Sequence, residues 1–274
     1  MHVLSKLSLC LSIPAAALAS CALAESGESA AEAAERVGYT IEEIGTFERP
    51  WAIEFVPGAN TLAIAEKAGT LKLMRMTSGE IRTVNGTPEV DFGGQGGLGD
   101  IAFLPGEETR ADGRTVYLSW AEAGEGDTRG AAVGRGLIVC ERAADACELK
   151  DFEVIWRQTP KVTGKGHYSH RIQISPDGQY LFIASGDRQK QTPAQDTTNT
   201  LGTVVRLNLD GTPADGNPMA DKGGVTAEIW SWGHRNILGM DWDAQGRLWE
   251  TEHGPAGGRV AVHAGGQCRD LHSL

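Results

Sequence analysis

Two short stretches of this chain concentrate side chains that can do chemistry. Gly166-His167-Tyr168-Ser169-His170-Arg171 places two imidazoles, a phenol and a guanidinium side by side. An imidazole held there can serve as a general base near neutral pH. His167 and His170 precede a strand-like run and do not ride a helix, so they do not read as a zinc pair. The second stretch is Trp230-Ser231-Trp232-Gly233-His234-Arg235-Asn236, followed further on by Glu252-His253-Gly254-Pro255. Arg235 and Asn236 offer a fixed cation beside a neutral amide, a pairing suited to an electron-rich oxygen. The bland alternative in both cases is a hydrogen-bonded structural histidine or a loop-anchoring network.

A third stretch, Asp91 to Asp100, contains Gly94-Gln95-Gly96-Gly97-Leu98-Gly99, which matches G-x-G-x-x-G literally. A dinucleotide site needs a strand, the glycines and then a helix. Here Asp100-Ile101-Ala102-Phe103 reads as a strand, so that site is rejected. The glycines would instead permit close approach of backbone and lift Gln95 as the one polar side chain into a ligand site.

Each of these heads leads into the same kind of body. Ile172-Gln173-Ile174 alternates apolar and polar residues as a half-buried strand requires. Ser175-Pro176-Asp177-Gly178 supplies a tight turn and Tyr180 to Ala184 a second strand. Similar bodies begin near Ile53, Ile101 and Met240, with outer strands such as Gly202 to Asn208. Repeated units of three or four strands joined by Pro-Gly or Asp-Gly turns are the signature of a β-propeller. In that architecture the residues just before each inner strand gather at one mouth of a central channel. A β-sandwich is the rival fold, but it leaves the repeated polar heads unexplained.

Bulk properties agree with this. The chain has 274 residues, 41% of them hydrophobic, and 36 glycines against only 6% aromatics. That composition fits many turns in an all-β domain. A net charge of −11 with no basic run excludes a polyanion-binding surface. The stretch Asn208, Asp210, Asp215, Asn217, Asp221 looks calcium-like but lacks the loop spacing and reads as a polar turn.

The first residues read as a targeting segment. Lys6 gives a positive start, and Leu7 to Ser20 is apolar but too short to span a bilayer. Two cleavage sites compete. Ala22-Leu23-Ala24 would leave Glu25 first, giving a signal peptide over 1–24. Leu18-Ala19-Ser20-Cys21 fits a lipobox that would lipidate Cys21 and provide a membrane anchor. Either route predicts a periplasmic or secreted protein. A linker over 25–38 precedes the globular region. Cys140 and Cys147 flank a polar tip between two strand-like runs, and a cross-hairpin disulfide fits an oxidising compartment. Cys268 is left unpaired.

Taken in order, Gln-Gly-Gly-Leu-Gly-Asp, Gly-His-Tyr-Ser-His-Arg-Ile, Ser-Gly-Asp-Arg-Gln-Lys, Leu-Gly-Thr-Val-Val-Arg-Leu, Trp-Gly-His-Arg-Asn and Glu-His-Gly-Pro resemble the soluble pyrroloquinoline-quinone (PQQ)-dependent sugar dehydrogenases. These include glucose/aldose and sorbosone dehydrogenase-like proteins. The resemblance runs from Trp51 to Gly258. It implies a six-bladed propeller, about four blades of which lie within 39–258. PQQ would sit over the channel mouth, with Ca²⁺ bridging it to protein. His167 would be the general base that takes the proton from a sugar C1 hydroxyl as hydride passes to the quinone. Arg235 would stabilise the developing oxyanion, Asn236 would contact the cofactor, and Gln95 the substrate. The backbone carbonyls of Gly254 and Pro255 would hold the Ca²⁺. Partners would be a small sugar and an electron acceptor.

Two departures from the family pattern stand out. Leu238 replaces a polar glutamine of the glucose-oxidising member. The pattern also stops at Gly258, so that Arg259 occupies the slot of an aspartate expected to pair with the catalytic histidine. The run 259–274 lacks clear strand alternation. It is expected to be an aberrant, out-of-frame end and to leave the chain unstable or inactive. Rival functions are a sorbosone-type oxidation using the same residues, a calcium-dependent lactonase with Asp100 or Glu252 as metal carboxylates, and a non-catalytic binding propeller.

Overall fold

The structure is a computed structural model that describes residues 40–254 and the strand at 259–263. The leader with Cys10 and Cys21, the linker over 25–38, Pro255, Cys268 and the end of the chain lie outside the described residues. One compact unit begins at Ile44.

Among the described residues, fifteen strands form four consecutive meanders. Blade one comprises β1 (Pro50–Phe55), β2 (Thr61–Glu66), β3 (Leu71–Arg75) and β4 (Ile81–Asn85). Blade two comprises β5 (Leu98–Phe103), β6 (Arg114–Ala123), β7 (Arg129–Val139) and β8 (Cys147–Arg157). Blade three comprises β9 (Ser169–Ile174), β10 (Tyr180–Ser185), β11 (Thr203–Asn208) and β12 (Ile229–Trp232). Blade four comprises β13 (Ile237–Trp242), β14 (Leu248–His253) and β15 (Arg259–His263). Within each blade, neighbours in sequence pair antiparallel. A short parallel contact, Val84 with Cys147 and Asn85 with Glu148, joins the outer edges of blades one and two into one eight-stranded sheet.

The period-2 pattern decides which blade each side chain meets. Ile101 and Phe103 of β5 point into the core shared with blade one, beside Ala52, Leu71 and Leu73. Ala102 between them points the other way, into the core shared with blade three, with Tyr117, Ile172, Ile183 and Val205. On β10, Ile183 faces blade two, while Phe182 and Ala184 face Ile237, Met240 and Leu248 of blade four. These three clusters are therefore seams between blades, and β5, β9 and β13 follow one another as inner strands. Ile183 is fully buried at such a seam; truncating it to alanine would cost about 2–5 kcal/mol.

The anticipated turns are present. Gly178 N–H donates to Ser175 O at 2.8 Å, and Gly246 N–H donates to Asp243 O at 2.9 Å. Cys140 and Cys147 form a disulfide at the β7–β8 connection, with a Cα–Cα distance of 4.3 Å. Asn208, Asp210 and Asn217 spend their side chains on Thr212 and Arg206, as a polar turn does.

Three expectations need correcting. Thr203–Asn208 is the third strand of its blade, and Ile229–Trp232 is the outermost. Trp230-Ser231-Trp232 therefore belongs to a blade edge, and the fourth head starts at Gly233. Arg259–His263 is not structureless: it pairs antiparallel with β14, from Trp249 opposite His263 to His253 opposite Arg259. The apolar run Val260-Ala261-Val262 was too short a signal to recognise without its partner strand.

Candidate active site

The first two heads are locked together through backbone. The Gln95 carboxamide oxygen accepts the His167 N–H at 2.6 Å, and Gln95 N–H donates to Lys165 O at 2.8 Å. Glycine is needed at two places to allow this. A Cβ on Gly94 would collide with the Lys165 carbonyl, and one on Gly97 with the Lys67 carbonyl, both at positive φ. The glycine-rich loop is thus a close-approach device, as its sequence suggested.

The His167 head is unusual backbone. His167, Ser169 and His170 have φ of 48°, 55° and 46°, and positive φ at non-glycine residues costs of order 1–3 kcal/mol each. The cost is offset by dense anchoring from the loop after β10. Gly186 N–H donates to Tyr168 O and Arg188 N–H donates to His167 O. The buried Arg188 guanidinium donates to the carbonyls of Gly166 (2.9 Å) and Arg129 (2.7 Å) and to that of Gly164. It lies 3.6 Å from the centre of the Tyr168 ring.

That same loop supplies the decisive partner. His167 Nδ1 lies 2.7 Å from Asp187 Oδ1, and both side chains are buried or nearly so. Asp187 Oδ1 also accepts the Gln189 N–H at 2.8 Å, and Asp187 N–H donates to Arg235 O at 2.9 Å. One aspartate therefore fixes the histidine ring and ties it to the arginine head. The carboxylate comes from Ser185-Gly186-Asp187-Arg188 of the same blade. The expectation that His167 lacks its acid because Arg259 stands in an aspartate's slot is overturned. With Nδ1 engaged, Nε2 makes no hydrogen bond among the described residues.

The fourth head is set by Glu252, at the end of β14. Its Oε2 accepts the N–H groups of Arg235 (2.7 Å) and Asn236 (3.2 Å). Arg235 Nη1 donates to His253 O at 2.8 Å, so its charge meets a carbonyl and not a carboxylate. Asn236 is fully buried, and its Nδ2 has no partner among the described residues. Ser169 Oγ accepts the Ile237 N–H at 2.8 Å, closing the contact between the two heads. Leu238, Thr251, Glu252 and His253 line a cavity of about 200 Å³. A larger cleft of about 510 Å³ lies elsewhere, walled by Thr61, Arg82, Arg114 and the Cys140–Cys147 bridge. None of the heads reaches it, so size alone does not locate the chemistry.

Asp100 is not available as a metal carboxylate. Its oxygens are held by Arg171 Nη1 (3.1 Å) and the Ile172 N–H (3.0 Å), and Arg171 Nε continues to Leu238 O. Burial raises the Asp100 carboxyl, and the Arg171 guanidinium opposes that rise. This strap crosses β5, β9 and β13 under the heads. Asp187, Arg188 and the backbone role of Gln95 were not assigned from sequence. The findable signal was topological: in an antiparallel pair the end of β10 returns to the start of β9, as Ser185 opposite Ser169 shows.

Comparison with known proteins decides the family. The profile described as Glucose / Sorbosone dehydrogenase matches residues 47–260. The chain belongs to the glucose/sorbosone dehydrogenase family. It is 36% identical over 212 residues to the aldose sugar dehydrogenase YliI of Escherichia coli (strain K12), covering 77% of this chain and 55% of that protein. A solved glucose dehydrogenase superposes with a TM-score of 0.74 at 35% identity, covering 83% of this chain and 68% of the other. The PQQ-bound aldose sugar dehydrogenase of Streptomyces coelicolor gives a TM-score of 0.67 at 25% identity, covering 80% and 61%. This chain thus spans little more than half the length of the Escherichia coli relative, and its fold is the propeller type of the solved dehydrogenases. The His167–Asp187 and Arg235–Glu252 contacts stand at the starts of the inner strands of blades three and four.

Proposed function

We propose that this chain carries the catalytic half of a PQQ-dependent aldose oxidation at C1, giving the lactone. The observation that carries the proposal is the His167–Asp187 pair at 2.7 Å, tied through Asp187 N–H to Arg235. Asp187 holds the proton on Nδ1, which makes Nε2 the basic nitrogen. Nε2 takes the C1 hydroxyl proton, and the resulting imidazolium is stabilised by the Asp187 carboxylate. Arg235, with no carboxylate on its guanidinium among the described residues, stabilises negative charge building on O1. Strained, over-anchored backbone at His167 keeps the ring in place before substrate arrives.

The residues present suit the cofactor. Asn236 Nδ2 is a buried donor lacking an acceptor among the described residues, and Arg235 is a cation lacking an anion there. Both match a quinone rich in carbonyl and carboxylate oxygens, and Arg235 and Asn236 would hold it. Bound PQQ would supply the two-electron acceptor for the C1 hydride. The carbonyls of Gly254 and Pro255 would hold Ca²⁺, a cation that favours oxygen ligands. Partners are the sugar and an electron acceptor. The disulfide between Cys140 and Cys147 supports a periplasmic or secreted setting.

The test is reconstitution of the chain with PQQ and Ca²⁺, followed by a panel of aldoses and sorbosone with a dye acceptor. Aldose-dependent dye reduction that is lost in His167→Ala, with quinone binding retained, is expected, and it would set aside the inactivity anticipated from the departures after Gly258. Turnover unchanged in His167→Ala would overturn the assignment. Preference for sorbosone would move the substrate to the sibling branch without changing the residues.

A further inference from the structure

Behind the Arg235–Asn236 head lies a second cluster that the proposed chemistry does not use. His234, Glu250 and Glu252 are each at least 97% buried, with 3%, 1% and 2% exposure. One ligand atom from each falls within 4.8 Å of the others. His234 Nδ1 lies 3.1 Å from Glu250 Oε1 and 3.8 Å from Glu252 Oε1. His234 Nδ1, both Glu250 oxygens and Glu252 Oε1 have no hydrogen-bond partner among the described residues. The 3.1 Å approach is within ion-pair range without hydrogen-bond alignment.

Four unpartnered polar atoms in one buried spot require an explanation, since such groups each cost about 1–3 kcal/mol or more. Charge sharpens the problem. Two carboxylates against one histidine leave the cluster negative even if the imidazole is protonated. A divalent cation with a neutral imidazole balances it. The remaining contacts are those of an oriented ligand set. Ser231 Oγ sits 2.8 Å from His234 Nε2, which orients the ring and leaves Nδ1 as the nitrogen facing the carboxylates. Glu252 Oε2 is held by the Arg235 and Asn236 N–H groups, leaving Oε1 turned to the cluster. Metal bonds of ~2.0–2.2 Å in a tetrahedral site put ligand atoms roughly 3.3 Å apart, between the two spacings seen from His234 Nδ1.

We propose that His234, Glu250 and Glu252 form a structural site for a zinc-class divalent cation, bound through His234 Nδ1 and one oxygen of each carboxylate. The nitrogen donor and small ligand number favour a borderline transition ion over calcium, which takes about six to eight oxygens. Its donor set, one imidazole nitrogen and two carboxylates, differs in kind from the backbone carbonyls proposed for Ca²⁺. Its position gives it a consequence: Glu252 touches the cluster with one oxygen and both N–H groups of the catalytic head with the other. Cation binding would therefore set the backbone of Arg235 and Asn236.

The test needs neither quinone nor sugar, so it fails or succeeds independently of the proposed enzymology. The full chain is stripped with a chelator, returned to excess Ca²⁺ and titrated with Co²⁺. One equivalent should bind, with the visible bands of a low-coordinate nitrogen–oxygen site, and Zn²⁺ should abolish them. Glu250→Gln should weaken Co²⁺ binding on the order of 100-fold or more, and Ser231→Ala by roughly 10–100-fold through loss of ring orientation. No saturable band in the presence of Ca²⁺, or equal binding in wild type and both variants, would overturn the proposal and leave a proton-sharing core cluster. If Glu250→Gln does not fold, the wild-type titration and Ser231→Ala still decide.

Discussion

The heads of blades three and four place histidines in opposite circumstances. His167 meets one carboxylate, Asp187, and its Nε2 makes no hydrogen bond among the described residues. His234 meets two, Glu250 and Glu252, and is wholly enclosed. Burial alone would lower the His234 imidazole, but the two carboxylates outweigh it and hold it up to about 9. A ring with one acid and an open nitrogen can exchange a proton with a substrate. A ring surrounded by acids and protein cannot reach one. Number of carboxylates and exposure, more than residue type, separate a base from a structural centre.

The sharpest way to break this contrast is to remove each ring. His167→Ala should lower kcat by roughly 10²–10⁴-fold, the range for a general base, with a smaller stability loss, because it orphans one buried carboxylate, Asp187, that keeps the Gln189 N–H. His234→Ala should do the reverse in kind. It leaves two buried carboxylates uncompensated, a loss of about 3–5 kcal/mol, read as a fall in denaturation midpoint. Equal stability losses in the two variants would erase the distinction.

Much of this was legible in the sequence. The alternation of Ile172-Gln173-Ile174, the Ser175–Gly178 turn and the four recurring bodies give the blades and their order. The heads His167 and Arg235 follow because residues before inner strands gather at one mouth. What was not legible is the pairing across each blade. Asp187 lies twenty positions beyond His167 and Glu252 seventeen beyond Arg235. In both blades the acid stands at the return end of the second strand, beside the start of the first. Periodicity places strands, but only the registered pairing of β9 with β10, and of β13 with β14, brings those ends together. The same omission made Arg259 seem to cost His167 its acid. Val260 to Val262 went unread as a strand because a five-residue edge strand has too few alternations to stand out.

A third histidine extends the comparison within one head. His170 is 3% exposed, and among the described residues its charged neighbours are cations. Burial lowers its imidazole to about 3, aided by the Arg171, Arg188 and Lys67 charges. It is therefore neutral in the fold, whereas in the unfolded chain it titrates near 6.5. Below that pH the unfolded state binds the extra proton, so stability present above pH 6.5 is lost as pH falls toward 3. The slope contributed by this one group is about 1.4 kcal/mol per pH unit. Denaturant titrations between pH 7 and 5 should show that decline, and His170→Gln should flatten it. A slope unchanged in the variant would assign the acid sensitivity to other groups.

The smallest expected effect separates two roles of Gln95. If its main task is to contact sugar, Gln95→Leu raises KM. The structure instead spends its carboxamide oxygen on the His167 N–H at 2.6 Å, beside a residue held at φ 48°. Loss of that acceptor orphans an N–H and relaxes the base, at a cost of about 1–1.5 kcal/mol. That corresponds to roughly a tenfold drop in kcat. KM should stay within a factor of about two, and Gln95→Glu, which restores an acceptor oxygen, should recover most of the rate. A rise in KM with kcat intact would return Gln95 to the substrate and leave Arg188 and Asp187 as the anchors of the base.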